Sequence, residues 1–173
     1  EPTNGKILVN KNQTKNLTNN QKDELRRKNI SIIFQDNNLL TDFTAIENVM
    51  MPLIIKGENK KNILQKAQKI LNDVKVLNRS NHFPNELSGG EQQRIAIARA
   101  LIAETKLILA DEPTGNLDPQ TSTEIMNLLN EIHMEGSAIF MATHDYNTID
   151  RFPKKTFRIE NNRLFQLKSK SII

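Results

Sequence analysis

Three short apolar runs constrain this chain more than any other feature: Ile30 to Phe34, Leu107 to Ala110 and Ala138 to Ala142. Each is too short for a helix and lacks polar alternation, the mark of a buried strand. Stretches with apolar residues at helical spacing lie between them. Buried strands alternating with helices imply an α/β domain with a largely parallel sheet. Each run also ends on groups able to do chemistry: Gln35 after the first, Asp111-Glu112 after the second, Thr143-His144 after the third. In open α/β sheets, ligands bind outside the carboxyl ends of the strands.

The segments between these runs complete the outline. A short strand is expected at Lys6 to Val9 after a turn cluster of Pro2, Asn4 and Gly5, then a polar stretch to about residue 20 and a short helix around Gln21 to Lys28. Thr44 to Ile55 reads as helical, with Pro52 as a kink or break. Ile63, Leu64, Ala67, Ile70, Leu71, Val74 and Leu77 recur at helical spacing, an amphipathic pattern that core packing explains. After a turn at Phe83-Pro84, Ile95, Ala96, Ala98, Leu101 and Ile102 line one helical face. Asp118 as N-cap with Pro119 in the first turn starts a helix carrying Ile125, Leu128, Leu129 and Ile132. Thr156 to Ile159 and Leu164 to Leu167, joined through Asn161-Asn162, read as a closing hairpin. There is no internal repeat and no linker, so the 173 residues read as one soluble domain, long enough to bury a core.

Composition removes several classes. With no cysteine, disulfides, Cys-based zinc sites and thiol catalysis are excluded. The apolar stretch Val49 to Ile55 is interrupted by Pro52 and falls far short of the roughly 20 residues of a membrane helix. A net charge of +4 would suit an anionic partner. The lysines are scattered, however, and the abundance of Lys, Asn and Ile matches A/T-rich codons, so the charge points to no nucleic acid.

Two further segments carry chemical signals. Ser88 and Glu91 in Leu87-Ser88-Gly89-Gly90-Glu91 satisfy a capping box. The box leaves two glycines in the first turn unexplained, each costing about 1 kcal/mol of helix propensity. Exposed backbone N–H groups at a helix start bind phosphate, and glycine allows close approach. Asp111-Glu112 places two adjacent acids at a strand end. One carboxylate there can hold Mg²⁺, and the other can deprotonate an attacking water, help worth roughly 10² to 10⁴ in rate. Gln35 can orient a water or ligate a cation, and His144 can hydrogen-bond a phosphoryl group.

In this order, Gln35, Leu87 to Glu91, Leu107 to Glu112, Gly115-Asn116-Leu117-Asp118 and His144 resemble an ABC-type ATPase domain over nearly the full chain. The resemblance implies an α/β P-loop NTPase-type fold across 1–173, with a helical subdomain at about 36–100 that includes the signature motif, the remainder being the catalytic core. It makes Gln35 the Q-loop residue, Leu87 to Glu91 the signature, Leu107 to Asp111 the Walker B strand, Asn116-Leu117-Asp118 the D-loop and His144 the switch histidine. Glu112, His144 and Gln35 would be catalytic. Ser88, Gly89, Gly90, Glu91 and Asp118 would meet ATP across a dimer interface, and Asp111 with Gln35 would hold Mg²⁺. The implied partners are a second ATPase subunit and integral-membrane permease subunits, contacted through about Asp36 to Ile55. The implied place is the cytoplasmic face of the bacterial inner membrane, peripherally bound, with no nucleic acid.

One family element is not in the sequence: no Gly-x-x-x-x-Gly-Lys-Ser/Thr run occurs. The family's P-loop precedes a Pro-Thr-x-Gly segment, and this chain begins Glu1-Pro2-Thr3-Asn4-Gly5. The expectation is therefore an ABC ATPase domain without its N-terminal, Walker A part. Alone, such a chain should leave strand edges unpaired, aggregate readily and be inactive without useful MgATP affinity.

Among family branches, the DNA-repair type inserts long coiled coils between Q-loop and signature, whereas here about fifty residues without heptads separate them. A translation-factor type carries two tandem domains. A non-hydrolysing module would not need Glu112 and His144. Leu39 to Leu53 and Asn81 to Leu87 most resemble the lipoprotein-releasing ATPases. Asp111 to Asp118 is similar to the wider group that includes the macrolide-export and cell-division types. Phe34-Gln35-Asp36 and Met141 to Asp145 lean toward the cell-division type. Lipoprotein release from the inner membrane is the expected role, with the other two as alternatives.

Overall fold

The computed structural model describes residues 3–9 and 11–167. It contains two compact units, Glu1–Ala142 and Thr143–Ile173. No linker marks the division, because it falls directly after a strand. The expected turn at Pro2 lies outside the described residues.

The first unit opens on a small antiparallel hairpin, β1 (Leu8–Val9) with β2 (Asn12–Gln13). The strand expected from Lys6 is therefore shorter, and β2 falls within the expected polar stretch. Lys11, at φ +66, makes the turn between them, without the glycine that would announce it. Helix α1 (Asn19–Asn29) starts earlier than its charged residues suggest, because Thr18 and Gln21 form a capping box.

A three-stranded parallel sheet follows: β3 (Ile30–Ile33), β4 (Leu107–Asp111) and β5 (Ala138–Ala142), with β4 in the centre. Its register aligns Ile33 with Ala110 and Ala110 with Met141. The three carboxyl ends thus share one edge. Ser31, Ile33, Ile108 and Ala110 form the buried face. On the opposite face Ile32, Leu109 and Phe140 make one cross-strand row, in which Ile32 is 45% exposed and Phe140 60%.

The helical layer consists of α2 (Ala45–Ile55), α3 (Lys60–Asp73) and α4 (Gly89–Leu101), each packed against the other two. Val49, Leu53, Ile63, Ala67, Leu71 and Ile95 are its interior. Buried to this extent, each Val, Leu or Ile side chain contributes roughly 1.5–3 kcal/mol. Helix α2 runs through Pro52 to Ile55, since only one turn follows the proline and Lys56 N–H still bonds the Pro52 carbonyl. Helix α3 stops short of Val74 and Leu77. Lys75 takes φ +64 and bonds back to Asn72, and Leu77 begins a separate short 3-10 turn, Leu77–Arg79. Helix α4 lies against β3, and α5 (Pro119–Met134) packs on α4 and β5, with Asp118 as N-cap and Pro119 in the first turn.

The second unit contains α6 (Tyr146–Arg151), which the sequence outline lacks, and a hairpin of β6 (Phe157–Glu160) with β7 (Arg163–Gln166). Each hairpin strand is displaced by about one residue from expectation. Asn161 and Asn162, at φ +49 and +60, make its two-residue turn, the left-handed pair that matches strand twist.

Candidate functional site

The sheet edge assembles Gln35, Asp111 and Glu112. One step past the aligned Ile33 and Ala110, the register brings Phe34 and Asp111 level. Gln35 and Glu112 come next. Glu112 turns the chain sharply, with φ +44, and its N–H donates to the Ala142 carbonyl at 2.9 Å. A left-handed non-glycine residue of this kind costs about 1 kcal/mol or more and persists where its surroundings over-determine it. Gly115 N–H closes the turn onto the Glu112 carbonyl at 3.0 Å. A side chain at Gly115 would come within 3.1 Å of Gln35 Nε2 and 3.4 Å of Glu112 Cβ. Glycine thus lets Gln35 lie over this turn. Gln35 Nε2 donates to Asn116 Oδ1 at 3.5 Å, and Asn116 Nδ2 donates to Asp36 Oδ1 at 3.2 Å. The donation leaves the Gln35 amide oxygen available as an acceptor.

A second cluster lies at the start of α4. Glu91 Oε2 accepts from Ser88 N–H at 2.8 Å and from Ser88 Oγ at 2.9 Å, while Ser88 Oγ accepts from Glu91 N–H at 3.3 Å. Glu91 Oε1 accepts from Arg79 Nε at 2.7 Å. These bonds, that from Ser88 N–H foremost, hold the Glu91 carboxyl below its ordinary pKa. The glycines have a structural reason that sequence reading did not supply. A Cβ on Gly90 would sit 2.6 Å from Thr121 Cγ2, and one on Gly89 would sit 3.3 Å from Leu117 Cδ2. Close approach of the 117–121 segment therefore requires Gly90 whether or not phosphate binds. Asp118 Oδ1 accepts from the N–H groups of Gln120 and Thr121, both at 3.0 Å. Thr121 is the main cause of its lowered pKa.

His144 lies in the second unit, exposed and next to Asp145, whose carboxylate caps α6 through Asn147 N–H and Thr148 Oγ1. Among the described residues, no group of three or more His, Cys, Asp or Glu could hold a metal by themselves. The oxygen donors Asp111 and Gln35 instead fit a Mg²⁺ that takes one or two protein ligands and completes its shell with phosphate and water.

This arrangement has counterparts. A family profile described as ABC transporter matches residues 1–115. The chain belongs to the ABC transporter family. It is 45% identical over 146 residues to the cell division ATP-binding protein FtsE of Streptococcus pneumoniae D39, covering 84% of this chain and 64% of that protein. It is 46% identical over 155 residues to the lipoprotein-releasing system ATP-binding protein LolD of Rickettsia bellii, covering 89% and 68% respectively. The chain thus spans about two-thirds of the length of these curated relatives. Among solved structures it resembles the ATP-binding cassette MJ0796 in a dimeric post-hydrolysis state bound to ADP and Pi. The TM-score is 0.83 at 35% identity, over 98% of this chain and 76% of that one. It also resembles cbiO1 of Clostridium perfringens, part of the ABC transporter complex cbiONQ, with a TM-score of 0.85 at 28% identity, over 95% and 66%. The α/β architecture with its parallel sheet is that of the ABC cassettes.

In this ABC transporter family chain, three polar residues hold the loop after Gln35: Asn116, expected from the sequence only as part of the D-loop, and Asn48 and Arg99, to which the sequence assigns no role. Asn116 links both Gln35 and Asp36. Asn48, fully buried in α2, accepts from Leu40 N–H at 2.8 Å and donates to the carbonyls of Leu40, Phe43 and Thr44 at 3.0 to 3.1 Å. Arg99, in the last turn of α4, donates to the carbonyls of Asn37 and Asn38. The place of Asn48 at helical spacing from Ala45, on the stripe that continues through Val49 and Leu53, is the one signal that could have marked it.

Proposed function

We propose that the chain is the ATP-binding and ATP-hydrolysing subunit of a bacterial ABC transporter, its residues supplying the Mg²⁺-binding, water-activating and signature parts of the site. The observation that carries this reading is the juxtaposition of Gln35 with the Glu112–Asn116 turn at the carboxyl edge of a parallel sheet. Asp111 and Gln35 hold Mg²⁺, which when bound neutralises charge on the phosphate oxygens. Glu112 accepts a proton from the attacking water, and its left-handed backbone sets the carboxylate's direction. Ser88, Gly89 and Gly90 present the positive end of α4 to the γ-phosphate of an ATP held by a second ATPase subunit. Glu91 and Asp118 fix that helix start and the loop beside it, and His144 steadies the γ-phosphate. On this reading residues 36–100 form the helical subdomain and the remainder the core.

The proposed partners are integral-membrane permease subunits, with the protein at the cytoplasmic face of the inner membrane. Among the described residues no helix is long and apolar enough to cross a membrane. Lipoprotein release is the cargo reading, supported by the likeness of Leu39 to Leu53 to lipoprotein-releasing ATPases and by the LolD relative. The FtsE relative at similar identity supports a cell-division role as the second reading. Purification of the gene product with its associated membrane subunits tests the choice. Lipoprotein-stimulated ATP hydrolysis by a copurified permease is the expected result. Copurification only with a cell-division permease, and no response to lipoprotein, would transfer the assignment to the second reading.

A further inference from the structure

The carboxyl end of α4 is a junction with three neighbours. Ser31 Oγ on β3 donates to the Ala100 carbonyl at 2.9 Å. Lys56 Nζ at the end of α2 donates to the Ala103 carbonyl at 2.8 Å. Arg99 reaches the loop after Gln35, Nη1 donating to Asn38 O at 2.6 Å and Nη2 to Asn37 O at 2.5 Å. Asn37 and Asn38 both take left-handed conformations, φ +59 and +46, turning successive carbonyls to one side. A planar guanidinium meets two such carbonyls at once from separate nitrogens held in a fixed fork, whereas an ammonium must reach both from one nitrogen on a flexible stem. Among the described residues no carboxylate pairs with Arg99, so its charge is spent on these backbone oxygens. The grip lies two residues from Gln35, and the intervening Asp36 is held by Asn116. At the other end of α4, about 20 Å away by helical rise, stands Ser88.

We propose that Arg99 is a positioning residue for Gln35. Its fork fixes the backbone of the 37–38 turn to α4, so that the Gln35 amide and the Ser88 end of the helix move as one piece. The consequence for Mg²⁺ rests on the functional reading above; the anchoring does not. Removing the fork frees the turn and lets Gln35 leave the edge, while α4 keeps its own hydrogen bonds.

Two variants, Arg99→Met and Arg99→Lys, test this in the full gene product. In Arg99→Met, backbone amides of residues 37–44 should exchange with deuterium about tenfold faster, against less than about twofold for those of 92–98 in α4. Arg99→Lys should fall between Arg99→Met and wild type. The Mg²⁺ concentration for half-maximal ATP hydrolysis should rise about fivefold in Arg99→Met, while half-saturation by ATP at excess Mg²⁺ moves less than about twofold. Unchanged exchange in the loop, equal acceleration along α4, or failure of both variants to fold would overturn the proposal, the last two leaving Arg99 a purely structural residue. Faster loop exchange with an unchanged Mg²⁺ requirement would also overturn it, showing an anchor without a positioning role. If the wild type hydrolyses no ATP, the functional reading and the effect on Mg²⁺ fall together, and the exchange measurement still decides the anchoring.

Discussion

At the scale of single residues, the site depends on places where a side chain is missing or a backbone is forced. Gly90 is the clearest, because any Cβ there meets the methyl of Thr121 at 2.6 Å. In a helix threonine has only two ready χ1 rotamers, so the methyl can clear the new Cβ only by giving up its present one. Alanine would gain about 1 kcal/mol of helix propensity but pay an overpacking cost of about 1–3 kcal/mol. Gly90→Ala is therefore expected to lower the unfolding midpoint, and adding Thr121→Ser, which removes the methyl, should restore most of it. A double-mutant cycle from thermal unfolding measures the coupling, and additive effects would show that the contact does not set the cost. Sequence reading assigned both glycines to phosphate, since a contact between residues thirty apart leaves no local trace. Glu112 was legible as an acid at a strand end, but its left-handed backbone was not.

At the scale of elements, α4 is held at its start by the Ser88–Glu91 box and at its end by Ser31, Lys56 and Arg99. Folding lowers the Glu91 pKa. The resulting stability is present above the carboxyl's unfolded value and is lost as pH falls through the folded one. Wild type should exceed Glu91→Gln by about 1 kcal/mol at neutral pH, and the gap should close on acidification to below the ordinary glutamate range. Urea unfolding of both proteins across that range checks it; a gap that stays constant would mean that the charge contributes nothing. Helices α2 to α5 and the three sheet strands were legible because each carries its own period or apolar run. Other features had no such signal. The end of α3 is set by Lys75 in a conformation usually left to glycine. Strand β2 consists of two polar residues, and α6 buries only Thr148.

At the scale of the whole molecule, the register of one small sheet does most of the organising. It aligns the ends of β3, β4 and β5 at one edge, so that Gln35, just past β3, meets the Glu112–Asn116 turn just past β4 although the two are distant in sequence. Fold class and the strand-end residues Gln35, Asp111, Glu112 and His144 could be read from that pattern, because a parallel sheet leaves few other places for polar residues after apolar strands. The loop anchors Asn48 and Arg99 could not, since their partners are backbone carbonyls and a backbone N–H that no side-chain pattern reports. Parallel sheets are ordinarily covered on both faces, whereas the row Ile32, Leu109 and Phe140 here meets solvent in part. The central claim is that the sheet edge activates water against ATP, with Glu112 as base. The most direct measurement compares ATP binding and single-turnover hydrolysis by the assembled gene product, as wild type and as Glu112→Gln. The account predicts a loss of about 10² or more in hydrolysis with MgATP binding retained. Hydrolysis by Glu112→Gln at the wild-type rate would contradict it.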